Sequence, residues 1–511
     1  MTKVVVVGNG MVGSRFVEDL LAADRAGRHR VTVLGAEDCE PYNRVLLSEV
    51  IAGRYDLASL TLPAPTDSRV AVLRGTTAVS VDREDRVVES ADGSRHRYDV
   101  LVLATGAAAR IPPIAGLPPD PGALPRGVHP LRTIDDAREI VAATLNARLA
   151  IVLGAGVLGL EAACGLAARG VAVTVVHPAA ALMERQLDSE ASRVVESAMG
   201  SMGIDHRVGV GAEEVLLQDN TIRGVRLADG EVLDAELLVL ATGTMANTAL
   251  AVRAGLSTER GVLVSADLAS VDDRRVFAIG DCAQPPEGGT GLVAQGWEQS
   301  RRLAAILTGT AAPTAPQREP ATGSDVVRLK ADGLDVITMG VCGSTRADNP
   351  AQRQIRLSDP AAGRHIELVV SEGVLVGATC VGVGSVGADL VAAYTRRTPV
   401  PTDPAYLLLP ALAGVSTPAA PSPRDLPDGA TVCRCNGVSK GAIVEHWEQG
   451  CSSVEEVAAA TRATTGCGGC RDEVCGLLDW LGGTSRTAGV EREDRFTSGK
   501  HSIHSAEITA G

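Results

Sequence analysis

Val4-Val5-Val6-Val7-Gly8-Asn9-Gly10-Met11-Val12-Gly13 stands at the start of the chain, and Ile151-Val152-Leu153-Gly154-Ala155-Gly156-Val157-Leu158-Gly159 repeats its pattern. In each, an apolar run enters a G-x-G-x-x-G turn, a helical stretch follows, and a second apolar run comes next, Val31–Leu34 and Val171–Val176. A continuous apolar run is what a strand covered on both faces of a parallel sheet requires. Gly8, Gly10 and Gly13 close the turn, let backbone approach a pyrophosphate and let the helix pack on its strand; Gly154, Gly156 and Gly159 do the same in the second copy. The helix N-terminus adds free N–H groups and partial positive charge for the phosphates. One such motif is weak evidence, and two in strand–turn–helix context are strong evidence for a doubly wound α/β fold.

A second duplication follows. Val100-Leu101-Val102-Leu103-Ala104-Thr105-Gly106 has its counterpart in Leu237-Leu238-Val239-Leu240-Ala241-Thr242-Gly243, and Val276-Phe277-Ala278-Ile279-Gly280-Asp281 closes the series. This order resembles the two-dinucleotide flavoprotein family, in which an NAD(P)-binding domain is inserted into an FAD-binding domain. The resemblance implies an FAD-binding domain over 1–113 and 242–308 and an NAD(P)H-binding domain over 114–241. Residues 309–324 read as a linker, 325–412 as a small α/β domain and 414–430 as a second linker. A small helical, cysteine-bearing domain is expected at 431–483 and a disordered tail at 484–511.

Composition narrows the function. The chain has 511 residues, 45% hydrophobic and 22% charged, as expected for three or four globular units. A net charge of −14 repels a phosphate backbone, and 2% aromatics leave few platforms for stacked bases, so nucleic-acid binding is excluded. No run approaches the ~20 apolar residues of a membrane helix, and the N-terminus lacks a signal-peptide pattern, so a cytoplasmic location and no membrane partner are expected. There, eleven cysteines are unsuited to structural disulfides, and six of them fall within 433–475.

In the first dinucleotide unit, Glu37 follows the second strand as the ribose-hydroxyl acceptor. Pro41-Tyr42-Asn43-Arg44-Val45-Leu46-Leu47-Ser48 resembles the segment that lines the flavin and pyrophosphate in the family, which implies cofactor contacts for Asn43 and Arg44. Arg44 alone also reads as a solvated loop residue. The resemblance extends cofactor binding to Thr105, Gly106 and Gly243, and gives Asp281 the flavin ribityl chain. In the second unit the strand ends on His177 rather than a carboxylate, with Arg185 a short loop away. Lacking repulsion of a 2′-phosphate, this leans toward NADPH or dual use of NADPH and NADH, unless His177 merely ends the strand. Glu161 resembles the family glutamate near the nicotinamide and is the catalytic candidate; it also suits a first-turn helix acid. Neither Cys39 nor Cys164 has a partner at C-x₄-C or C-x-x-C spacing, so no flavin-facing dithiol is expected.

Cys433-Arg434-Cys435 and Cys467-Gly468-Gly469-Cys470 offer four thiolates suited to a [2Fe–2S] cluster. Four cysteines also suit zinc, although C-x-C is tight for one tetrahedral ion. The segment resembles the bacterioferritin-associated-ferredoxin-like module. Joined to the flavoprotein part, the order resembles the N-terminal half of the NAD(P)H nitrite reductase large-subunit family, most like the electron-transfer subunits of assimilatory nitrate reductase. No C-x₅-C…C-x₃-C set is present for a sirohaem centre, so no nitrite site of its own is expected. The resemblance implies electron flow from NAD(P)H through FAD and the cluster to a molybdenum-dependent assimilatory nitrate reductase. Alternative acceptors are nitrite reductase or a ferredoxin-like protein. A redox- or iron-sensing interaction protein is the alternative from another class.

Overall fold

Thr2–Val7 is the central strand of a five-stranded parallel sheet, paired in register with His29–Leu34 on one side and Val100–Leu103 on the other. Val70–Leu73 and Val276–Ala278 form its edges. Val4 to Val7 are buried, as the apolar run requires. Helix α1, Met11–Ala23, buries Phe16, Val17 and Leu20 and packs against helix Val293–Thr308. A short helix α2, Leu47–Ile51, is buried along its length. The coordinates are a computed structural model that describes residues 1–310, 325–345, 349–412, 426–433, 436–466 and 468–482. Most of the linker expected at 309–324, the linker at 414–430 as far as residue 425, the tail at 484–511, and Cys435 and Cys467 lie outside the described residues.

The second motif builds a matching parallel sheet in the order Ile204–Val208, Ala172–His177, Leu149–Leu153, Leu237–Leu240, Val128–Pro130. Three helices accompany it: α3, Ile134–Ala143; α4, Val157–Ala168; and α5, Ser189–Ser201. α3 starts on a capping box, with Thr133 accepting from the Asp136 N–H and Asp136 accepting from the Thr133 N–H. The duplication goes further than the glycine motifs. Each sheet has its own three-stranded antiparallel companion, Ala78–Asp82 to Arg95–Arg97 and Ala212–Gln218 to Val232–Asp234.

Residues 325–412 form a five-stranded antiparallel sheet with helix Gly384–Arg396 on it. Its first hairpin turns between Val327–Arg328 and Val336–Gly340, and Leu329, Leu334 and Val336 join the core built around α2 and α4. Arg356 on this sheet bridges Asp188 at 3.0 Å and Glu190 at 3.0 Å, at the start of α5, to buried Glu367 at 2.8 Å.

The chain forms two compact units, Met1–Thr417 and Pro418–Gly511. In the second, hairpin strands Thr431–Cys433 and Val438–Ser439 precede helices Lys440–Glu448, Val454–Thr461 and 471–482. Residues 426–430 were expected to belong to a linker, yet they are tied to this unit. Lys440 N–H donates to Ala430 O at 2.8 Å and Lys440 Nζ to Leu426 O at 2.6 Å. No helix among the described residues is long and apolar enough to cross a membrane.

Candidate cofactor sites

The glycines of the two motifs divide into the same three roles. Gly8 and Gly154 have φ of +115° and +107°, and a Cβ there would lie 2.1 Å from Ala104 O and 2.4 Å from Ala241 O. A Cβ on Gly13 or Gly159 would lie 2.1 Å and 2.0 Å from the carbonyl oxygen of Gly8 and Gly154. A Cβ on Gly10 or Gly156 would meet nothing. The outer glycines therefore serve chain packing, and the middle ones border open space. Gly10 and Gly156 are the N-caps of α1 and α4, neither with a side-chain cap bond, so the first N–H groups of both helices are left without a capping side chain. That arrangement fits two dinucleotide pyrophosphates.

Around the first motif, Glu37 accepts from Tyr42 Oη at 2.8 Å and pairs with Arg44. The Arg44 guanidinium lies over the Tyr42 ring, 4.6 Å from its centroid, and donates to Arg132 O at 3.2 Å. The two residues expected to meet ribose and phosphate thus hold each other as one ion pair. Asn43 is buried and its side-chain oxygen accepts from the Val45 N–H at 3.0 Å, capping the turn that aims Arg44. Asp281 pairs at 2.6 Å with Arg132, which also donates to Ala107 O at 2.9 Å. Arg132 was missed in the sequence; the only signal was a cation between a strand and the Thr133–Asp136 capping box.

Thr105, Gly106 and Gly243 stand at the crossing between the two sheets. Ala107–Ala109 pairs antiparallel with Thr244–Ala246. Thr105 Oγ1 donates to Asn247 O at 2.8 Å, and Thr242 Oγ1 donates to Arg110 O at 2.6 Å, a reciprocal lock. Gly106 and Gly243 have φ of +67° and +96°, which lets each strand turn into the ribbon.

In the second unit, His177 Nδ1 accepts from the Ala155 N–H at 3.3 Å, inside the glycine turn, while Nε2 faces Glu184 Oε2 at 2.9 Å. Met183 N–H donates to Ala155 O at 2.9 Å, folding the loop after the strand back on the turn. The strand end therefore does have a carboxylate beside it, from Glu184, which the local motif could not show. Arg185 is exposed on that loop.

Glu161 on α4 is buried and both its oxygens are engaged. Oε2 accepts from Ser48 Oγ at 2.5 Å, and Oε1 from Lys330 Nζ at 2.8 Å and Lys330 N at 2.9 Å. Lys330 was also missed. It is one of four lysines, with Lys3, Lys440 and Lys500, in a chain whose 48 basic residues are otherwise arginine, and that rarity was the available signal. Burial pushes the Cys164 thiol up to about 12, helped by the Glu161 charge, so it holds its proton at neutral pH. None of the described cysteines forms a disulfide.

In the C-terminal unit, Cys433 and Cys470 are buried in one apolar cluster. The Thr464 N–H donates to Cys470 Sγ at 3.3 Å, and Asn436 Nδ2 lies 3.8 Å from Cys433 Sγ. Thr464 and Arg462 have φ of +67° and +65°, so this loop holds two non-glycine residues in the left-handed region. N–H donors aimed at sulfur favour thiolates, which fits cluster ligation.

Two sheets with paired phosphate cradles, joined by a ribbon, define a nicotinamide–flavin oxidoreductase. The chain belongs to the pyridine nucleotide-disulphide oxidoreductase family, whose model matches residues 2–301, and a BFD-like [2Fe-2S] binding domain matches residues 431–480. Its cofactors are accordingly FAD, NAD(P)H and a [2Fe–2S] cluster. The chain is 33% identical over 499 residues to the nitrite reductase [NAD(P)H] of Bacillus subtilis (strain 168), covering 96% of itself and 59% of that protein. It is 30% identical over 483 residues to the assimilatory nitrate reductase electron transfer subunit of the same organism, covering 94% and 60%. It thus spans about three fifths of the length of these two curated relatives. Among solved structures it is similar to a ferredoxin reductase from Rhodopseudomonas palustris, with TM-score 0.65, 27% identity and coverage of 75% and 91%. A putidaredoxin reductase in complex with putidaredoxin shares the fold, with TM-score 0.69 at 24% identity.

Proposed function

We propose that this protein is the electron-transfer subunit of an assimilatory nitrate reductase, acting in the cytoplasm. It draws electrons from NAD(P)H and delivers them to a separate molybdenum-dependent catalytic protein. The observation that carries this reading is the joining of the flavoprotein fold to a BFD-like module in an order shared, over 94% of the chain, with the electron transfer subunit of Bacillus subtilis.

When bound, FAD accepts a hydride from the nicotinamide and the cluster carries single electrons onward. The chain's own residues bind and orient. The cradles at Gly10 and Gly156 hold the two pyrophosphates, Arg44 and Glu37 meet the first dinucleotide as a pair, and Arg132 steadies Asp281 for the flavin side chain. Cys433, Cys435, Cys467 and Cys470 hold the cluster, with the Thr464 N–H and Asn436 donating toward two of the sulfurs. Burial raises the pKa of the Cys164 thiol and disfavours a thiolate there, which suits a path that needs no thiol exchange.

Delivery to a nitrite reductase is the second reading, favoured by the 33% identity to the nitrite reductase of the same organism. An anaerobic titration with NADH and then NADPH, following flavin absorbance and the EPR signal of a reduced [2Fe–2S] centre, tests the internal path. Nitrate and nitrite reduction are then assayed with each purified catalytic partner. Cys467→Ser is expected to retain flavin-dependent dye reduction and to lose nitrate reduction. Normal nitrate reduction by that variant takes the cluster off the electron path, and zinc in place of iron makes the module a structural or partner-binding element.

A further inference from the structure

We propose that Lys330, delivered by the hairpin at the start of the 325–412 domain, is a positioning residue for Glu161. It supplies the counter-charge that holds this carboxylate in place between the two dinucleotide units. The inference deepens the oxidoreductase reading above and gives the 325–412 domain a part in the site.

Three segments converge on one buried carboxylate. Glu161 is two residues past Gly159 on α4, the helix that begins at the nicotinamide cradle. Ser48 closes the segment Pro41–Ser48 at the start of α2 and donates to Oε2. Lys330 donates to Oε1 through both its ammonium and its backbone N–H. The Glu161 side chain is 2% exposed and Lys330's is 19%. A buried carboxylate needs both a counter-charge and hydrogen bonds to remain charged.

The hairpin is held so that Lys330 has little freedom to be elsewhere. Leu329 and Leu334 are buried in the α2–α4 core, and Leu329 N–H donates to Val336 O at 2.9 Å. Arg54 clamps the turn from outside, donating to Lys330 O at 3.3 Å and pairing with Asp332 at 2.6 Å. It is itself fixed by two bonds to Glu49, at 2.6 and 2.8 Å. The only ammonium near Glu161 among the described contacts thus comes from a domain outside both dinucleotide folds.

Without the ammonium, Glu161 keeps one hydroxyl and one backbone donor and loses its counter-charge, so its side chain is expected to leave this position. Glu161 stands two residues past Gly159, and a nicotinamide ring gains positive charge as it loses hydride, which a fixed negative charge nearby favours. The test is Lys330→Met in the full chain. Its crystal structure should show the Glu161 carboxylate displaced from Ser48 Oγ, and that of Lys330→Arg should show it in place. Stopped-flow reduction of the FAD-loaded protein by NADH should slow about tenfold in Lys330→Met and little in Lys330→Arg. In the Glu161→Gln background the same change should add nothing. An undisplaced carboxylate together with an unchanged reduction rate overturns the proposal, as does an equal loss in the Glu161→Gln background. Both readouts precede the cluster and any catalytic partner, so failure of the nitrate reductase reading leaves this result standing. If neither nucleotide reduces the wild-type flavin, the oxidoreductase reading fails and the crystal structures alone decide Lys330.

Discussion

His177 Nε2 lies 2.9 Å from Glu184 Oε2, so the strand end that carries no carboxylate of its own acquires one from seven residues downstream. With Nδ1 accepting from the Ala155 N–H, the imidazole has its proton on Nε2 and donates it to Glu184. A carboxylate at this edge repels a 2′-phosphate, which weighs against the lean toward NADPH or dual use drawn from His177 alone. Wild type is expected to prefer NADH. Glu184→Gln should shift the ratio of kcat/KM for NADH over NADPH toward NADPH by about tenfold, or about 1.4 kcal/mol. An unchanged ratio in steady-state assays with both nucleotides would remove Glu184 from the selectivity site.

The middle and last glycines of the second motif should fail in different ways. Gly156→Ala points a methyl into open space, so the fold should tolerate it while nicotinamide dinucleotide binding weakens about tenfold. Gly159→Ala puts a methyl 2.0 Å from Gly154 O, where neither backbone can yield. It should cost about 1–3 kcal/mol of stability. Thermal unfolding and calorimetric NADH binding, measured on both, separate the two roles. Equal losses of stability would contradict the division.

Asn436 tests the sulfur environment. Its amide reaches Cys433 Sγ at 3.8 Å while donating to Arg462 O at 2.6 Å, so it also braces the loop before Cys467. Asn436→Leu removes a donor toward sulfur, and such donors raise a cluster's potential. A hydrogen bond worth about 1 kcal/mol corresponds to roughly 40 mV for one electron, so the midpoint should fall by about that amount. An EPR-monitored redox titration reads it. A midpoint unchanged or raised would mean the amide serves only the loop.

Acid sensitivity should trace partly to His365. Burial lowers its pKa below the ordinary 6.5; Asp188, Glu367 and Glu190 oppose the shift and Arg356 adds to it. Above 6.5 the folded and unfolded imidazoles are both neutral and the native contribution is complete. As pH falls through 6.5 the unfolded chain binds a proton that the folded chain resists, and stability is lost. His365→Gln should flatten the decline in Tm between pH 7 and pH 5.5 relative to wild type. Parallel declines in the two proteins would place the acid sensitivity elsewhere.

The elements that were legible from residues are those whose signal is local. Gly8, Gly10, Gly13 and their second-copy counterparts announce themselves because a tight turn tolerates no Cβ at two positions and faces open space at the third. Cys433 and Cys470 stand out because thiolates are rarely clustered for any reason but metal. Asp281 was legible beside Gly280, yet its partner Arg132 was not, since 149 residues separate them. Lys330 lies 169 residues from Glu161, and Glu184 reaches His177 only because Met183 folds the loop back onto Ala155.

Sequence alone therefore determined the two dinucleotide folds, their order and the cysteine-bearing module, because backbone sterics and the burial of continuous apolar strands act over a few residues. Tertiary structure decided which charges meet. Glu161 with Lys330, Asp281 with Arg132 and His177 with Glu184 are pairs made by packing. Charge pairing depends on distance in space and on burial, and neither is written in the spacing of residues along the chain.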